Sequence, residues 1–512
     1  MIRDPSNLAP YFGDPATEGF KGFFGEQIWG HRLERQPQSA LLLEFLGMAE
    51  GMLRENQLFV ATEPGADASY AARKASYLRA LVFCNPRLQA IADKHRGADA
   101  RAWDEWLADM RERSDGFDYT YLRRRIESLA ELTSRISLVR GIIMDGSSSR
   151  KWTHQLLYPV GPDALFIPLS AAVGGRDRVL FTRTGELAYL MVSRAKLSLT
   201  SELATHVREL LDGDGPKNRL LRGLIPASGQ DFVNRGGGTY LPYRSHPAFD
   251  RLAEDLLAIL RLRLPGHDAL EHIRVLLPFH LYLYATQTAY AWTVGEQLHP
   301  MVFEILAPSM DVVRRASIES RETAEAAAVA AVRSLVEPAA DAFLAEHSGA
   351  TGEELADFLT TTFHLRPQDR SALPIESVEE VRRAVRDMAE SGVKDGVVEA
   401  MMGLGASAEL ITSEKTRKHR YAPSDRLLKA LVLATVVSPK EELAPVLRRW
   451  FDRYRIAIGT EEAPAVCASL YDEGDFDRNH ERLVRRLAGM GLARRMSDDC
   501  TYVINPYVDP CA

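Results

Sequence analysis

The stretch from Val275 to Val294 places the tightest constraint on the fold. It is the most apolar segment of a 512-residue chain, and at about 20 residues it has the length of a membrane span. It also carries Pro278, His280, Gln287 and several tyrosines. A polar group every few residues suits a segment buried inside a helical bundle and not one facing lipid. The expectation is a water-soluble bundle packed around this segment, with no membrane partner.

Helical spacing of apolar residues dominates elsewhere. Gln38 to Asn56 carries Leu41, Leu42, Leu43, Phe45, Leu46, Met48 and Met52 in a wide apolar stripe, and Tyr70 to Phe83 and Tyr119 to Val139 repeat the pattern. After the turn-rich Asp145 to Ser149 come short apolar runs: Leu156 to Val160, Ala164 to Leu169, Arg178 to Thr182 and Glu186 to Val192. With Thr182 to Gly185 as a hairpin turn, residues 154–195 read as a small antiparallel sheet. Leu197 to Leu211 returns to helix, residues 213–248 read as loop, and Phe249 to about Thr412 is helical again. Met310 to Glu346 is the strongest helical run, and Pro338 is expected to kink or split it. The chain is therefore expected to be mainly α and multi-domain: a helical part over 1–212 with a small β insertion, a loop-rich connection over 213–248, a helical middle over 249–412 and a terminal unit over 413–512.

The terminal unit is the most informative. The basic run Lys415 to Arg420 precedes Pro423-Ser424-Asp425, a helix start, and Leu427, Leu428, Leu431, Val432 and Val436 form an apolar face. A second helix is expected from about Ser438-Pro439-Lys440 through Phe451, and a third from about Phe476 to Met490. Gly491 to Ile504 then reads as strand, polar turn, strand. Helix, helix, helix and hairpin over roughly 421–508 resembles a winged helix-turn-helix domain. That resemblance implies a recognition helix in the major groove, with the wing on the backbone. Leu483, Val484 and Leu487 are expected to face the core. Arg478, Arg482, Arg485 and Arg486 are left on the outer side with Asn479 near the helix start, and Arg494 and Arg495 at the base of the wing. These are the expected DNA contacts.

Charge fits a local contact and no more. The chain carries a formal −7, so a basic field that coats nucleic acid is absent. Residues 413–508 hold 17 Lys and Arg against 14 Asp and Glu, a surplus of three positive charges that leaves ten negative charges on the remainder.

Motifs with catalytic content are mostly missing. The sequence has no GxxxxGK[ST], GxSxG or HExxH motif, and no Lys has an acid two positions before it. Gly403 to Ala408 fits the loose form GxGxx(G/A), but after a helix end and not a strand. The densest ligand cluster is His267, Asp268, Glu271 and His272, with His280 beyond it; i and i+4 pairing could hold a divalent ion, and acids in a first helical turn equally suit the helix dipole. Gly146 to Lys151 offers hydroxyls and cations without the glycine spacing of a phosphate loop, and Arg235 to Tyr240 reads as a glycine hinge. Cys84, Cys467, Cys500 and Cys511 form no CxxC pair, which points to reduced thiols in a cytoplasmic protein, and the first residues lack the apolar core of a secretory signal.

At the other end, Phe23-Phe24-Gly25-Glu26-Gln27-Ile28-Trp29-Gly30-His31-Arg32-Leu33 followed by Leu41 to Leu46 resembles uncharacterised bacterial proteins of anti-phage defence islands. Such proteins stand beside ATPases, helicases or DNA-modification enzymes. The winged-helix pattern and the missing catalytic motifs lead to the expectation of a non-catalytic, cytoplasmic DNA-binding or adaptor subunit with no cofactor and with protein partners, and the resemblance supplies the defence setting. The alternatives are a divergent metal-dependent nuclease or hydrolase built on the 267–280 cluster, and a winged-helix transcription regulator.

Overall fold

The computed structural model describes residues 2–4, 6–8, 23–30, 33–63, 68–74, 76–114, 117–141, 143–144, 155–166, 182–226, 231–235, 240–264, 268–305, 311–412, 418–467, 470–496 and 500–508. The fold is mainly α, with sheets of two or three strands among these residues. Helix α1 spans Gln38–Arg54, α2 Thr184–Ser193, α3 Pro247–Arg261, α4 Asp268–Thr293, α5 Asp311–Ala331 and α6 Glu399–Ser407. Helix α7 spans Asp425–Thr435, α8 Leu443–Tyr454 and α9 Glu473–Gly489.

Helix α4 contains the apolar stretch and is the axis of the molecule. Every residue from His272 to Ala289 is buried, so it has no solvent face. It packs against α1, α3, α5, α6 and α7. Several of its polar groups find protein partners: Tyr284 donates to the Trp29 carbonyl at 2.8 Å, the Trp29 indole donates to the Ala285 carbonyl at 2.9 Å, and the Tyr282 and Tyr421 hydroxyls meet at 2.6 Å. No described helix is long and apolar enough to cross a membrane.

One apolar core runs from Ile2 to Val503 and includes the buried Phe23, Phe24, Ile28, Trp29 and Leu41 to Leu46. A second cluster around Trp103, Trp106 and Tyr119 fills a lobe built from helices 76–83, 88–94, 99–113, 120–125, 129–140 and 216–222. Because α7 and α8 contribute Leu428, Leu431, Val446 and Trp450 to the main core, the terminal unit shares its interior with the body.

Several elements depart from the sequence expectations. Residues 184–193 form a helix and not a strand after a hairpin turn; all ten are buried, so the run lacks the polar alternation that separates strand from helix. Within 154–195 the only described strand is Leu156–Leu157, paired with Ile143–Met144. The expected runs over 167–169 and 178–181 lie outside the described residues. Tyr70–Lys74 is a strand, β1, before the helix Ser76–Phe83, and it pairs antiparallel with β2, Asp231–Arg235. The span 213–248, read as loop, thus contains β2 and a helix over Pro216–Arg222 whose proline sits in its first turn. The run around Pro338 splits at Val332, and Pro338 lies inside the following helix, Arg333–Glu346. Gly403 and Gly405 lie inside α6, as a helix end requires.

In the terminal unit Ser424 caps α7, its hydroxyl accepting from the Leu427 amide at 3.2 Å. The expected start of the second helix is instead a short strand, Lys440–Glu442, which we label β4; β3 is Met301–Val302 and β5 is Ile456–Ala457. Strands β6, Ala493–Arg495, and β7, Thr501–Ile504, pair antiparallel with Ala493 opposite Val503, and β7 also pairs with β4. The sheet order is β4-β7-β6. Strand β5 pairs in parallel with β3 of the body.

Candidate nucleic-acid interface

Helix α9 turns Phe476, Leu483 and Leu487 inward and most of its charged residues outward, with Asp475 buried. Its first turn is acidic, with Glu473 and Asp475, and Asp472 accepts from the Asp475 amide at 2.8 Å as the cap. Acids there suit the helix dipole and repel phosphate. Apart from Arg478, the arginines fall in the second half of the helix and on β6, which packs beside it.

The seven expected contact residues divide by environment. Arg482 and Arg494 are exposed and make no ion pair among the described residues. Arg485 is exposed and reaches Glu481 one turn away at 3.1 Å, a solvated pair that costs little to redirect. Arg495 is exposed on β6. Arg478 is paired with Asp475. Arg486 is three-quarters buried and fastens α9 to α7 through Asp425 at 2.8 Å and the Pro423 carbonyl at 3.1 Å, so its first role is packing.

Asn479 is not a surface residue. It is fully buried, donates to the Phe303 and Ile458 carbonyls at 2.8 and 2.9 Å, and accepts from the Ile305 amide at 2.7 Å. It satisfies three backbone groups at the β3–β5 junction, which no side-chain spacing within α9 discloses. Asn479→Ala should lower stability by about 2 kcal/mol in urea unfolding while leaving duplex affinity per folded molecule unchanged. A loss of affinity without loss of stability would return Asn479 to the interface.

The cluster near the start of α4 does not converge on one point. Asp268 is exposed, Glu271 pairs with Arg274 at 3.2 Å, and His272 is buried, its pKa pushed down to about 4 by burial and then by Lys429. His280 faces Asp255 instead. Among the described residues no group of three His, Cys, Asp or Glu is placed to hold a metal ion. His267, Gly146 to Lys151 and Gly236 to Thr239 lie outside the described residues.

Two buried ionic networks join residues that are far apart in sequence. In the first, Asp255 on α3 sits 1% exposed. Its Oδ2 accepts from His280 Nε2 at 2.7 Å and the Tyr454 hydroxyl at 2.6 Å, and its Oδ1 accepts from Arg453 at 2.6 Å. Burial pushes His280 down. With the carboxylate as acceptor, the ring donates from Nε2, and its buried Nδ1 has no partner among the described residues. This network joins α3, α4 and α8.

In the second, Glu44 on α1 and Glu186 on α2 have no exposed surface. Glu44 accepts from the Arg183 and Gly185 amides at 2.8 and 3.0 Å. Glu186 accepts from Arg183 Nε at 2.8 Å and the Tyr70 hydroxyl at 2.9 Å, with Arg235 at 3.2 Å. Gly185 is required, since a Cβ there would lie 2.3 Å from the Leu41 carbonyl oxygen. A glutamate amid Leu41, Leu42, Leu43, Phe45 and Leu46 was the available signal, because a fully buried acid needs partners.

Burial first, and the Glu186 charge second, push Glu44 up to about 7 from an ordinary 4.5. The folded state thus holds this proton more tightly than the unfolded chain. The stability it contributes is full below about pH 4.5 and is lost as pH rises through about 7. The buried His246, His272, His280 and His299 act in the opposite sense: burial lowers them, so their contribution is full above about 6.5 and is lost as pH falls. Comparing wild type with Glu44→Gln isolates the glutamate. The variant should gain on wild type by up to about 3 kcal/mol between pH 5 and pH 8. Parallel stability curves would contradict the shift.

No protein-family model matches the chain, and no curated protein or solved structure matches it either.

Proposed function

We propose that residues 425–504 are a winged helix that binds duplex DNA, and that the chain serves as a non-catalytic DNA-binding or adaptor subunit of a larger bacterial defence complex. Apart from the short β5, which pairs with β3 of the body, the elements run helix-strand-helix-helix-strand-strand with the first strand at the edge beside the last, and this order supports the domain reading. One observation carries the DNA reading: Arg482 and Arg494 are exposed and unpaired among the described residues, on a helix and a strand that pack together. Cations without a protein carboxylate are the groups a phosphate backbone engages at least cost.

The expected DNA contact is the second half of α9 and the base of the wing, not the acidic helix start. The defence setting rests on the resemblance of residues 23–46, whose apolar side chains fill the core. A mobility-shift titration of a duplex with the full chain tests the reading. A salt-sensitive shift is expected, and no shift at low salt would sink it. The full chain is required because the terminal unit shares its core with the body.

A further inference from the structure

We propose that the cleft between α3 and α8 binds a phosphate group. Helix α8 buries Leu443, Val446, Leu447, Trp450 and Tyr454 and presents Pro445, Arg448, Arg449 and Asp452 along the opposite stripe at helical spacing. With Arg453 and with Arg251 from α3, these residues line an open cleft of about 580 Å³. Four guanidinium groups and one carboxylate therefore share one concave surface, large enough for a phosphorylated small molecule.

Three of the four cations have a carboxylate. Arg448 reaches Glu461 at 3.5 Å across an exposed surface, Arg449 is bidentate to Glu441, and Arg453 engages Asp255 and Glu254. Arg251 has none within ion-pair distance among the described residues. Its side chain donates to the Gln287 amide oxygen, and its Nε is buried without an acceptor. Burial, and then Arg453, pull its pKa down to about 10, a cost of holding the guanidinium there that the nearby Asp255 and Glu254 do not offset. An anion in the cleft would remove that cost. A phosphate suits it best, since its several oxygens match the fork geometry of more than one guanidinium at once. The cleft stands apart from the DNA-contact residues, because neither Arg482 nor Arg494 lines it.

The phosphate could belong to a free phosphorylated molecule or to a nucleic-acid backbone. Calorimetric titration of the full chain with pyrophosphate at fixed ionic strength tests the site. One-site binding is expected, weakened about tenfold or more by Arg251→Gln and by Arg448→Ala, and unchanged by Arg96→Ala on a distant exposed surface. Arg448 is 68% exposed, so its variant keeps the test decisive if Arg251→Gln misfolds. Displacement of pyrophosphate by a short duplex would assign the site to backbone phosphate, and retention would assign it to a small molecule. No binding at millimolar pyrophosphate, or binding unchanged by Arg448→Ala, would overturn the proposal.

Discussion

Asp255→Ala is expected to destabilise the protein by about 3–5 kcal/mol, the usual result of removing one partner from a buried ionic network. The carboxylate accepts from Arg453, His280 and Tyr454. Its loss strands two buried donors, His280 Nε2 and the Tyr454 hydroxyl. Arg453 keeps Glu254 and the Arg251 carbonyl. The damage should concentrate where the network joins α8 to the body. Hydrogen exchange over residues 443–457 should quicken more than over α1. Asp255→Asn retains the shape and part of the acceptor capacity, so it should fall between wild type and Asp255→Ala. An unfolding free energy in urea for Asp255→Ala within about 1 kcal/mol of wild type would show that the network does not fasten the terminal unit.

The second large effect is on affinity. Arg482→Ala together with Arg494→Ala should weaken duplex binding about a hundredfold at low salt, since each arginine's charge-assisted hydrogen bond to phosphate is worth about tenfold. Stability should barely change, because both side chains are exposed and hold no carboxylate among the described residues. Arg486→Ala is the contrasting variant. It removes the bonds to Asp425 and Pro423, so it should loosen α9 against α7 with a smaller effect on affinity per folded molecule.

Local pattern discloses some of this and long-range geometry the rest. The polar residues of Val275 to Val294 mark a buried protein helix, and α4 is buried on every side. The apolar face of α9 is legible from the spacing of Leu483 and Leu487, and the hairpin from Gly491 to Ile504 has the expected strands. The strand Lys440–Glu442 is not legible: three polar residues show no apolar alternation, and only pairing with β7 makes them a strand. Helix α2 reads wrongly as strand because a fully buried run carries no period that decides between the two.

Charged positions are hardest. Spacing groups His280 with His272, yet its partner Asp255 lies on the preceding helix and the network closes only through residues 453 and 454. Asn479 looks like an outward residue near a helix start because its partners, at 303, 305 and 458, are distant in sequence. Glu44 alone carries a local signal, an acid inside an apolar run.

The most direct test of the central claim is the salt dependence of duplex affinity. Fluorescence anisotropy of a labelled duplex would be titrated with the full chain from about 50 to 200 mM salt, for wild type and for the Arg482→Ala, Arg494→Ala protein. The expected result is a linear fall of log affinity with log salt, with a slope shallower by about two in the double variant. Absence of binding at the lowest salt, or identical slopes for the two proteins, would contradict DNA contact through these two arginines.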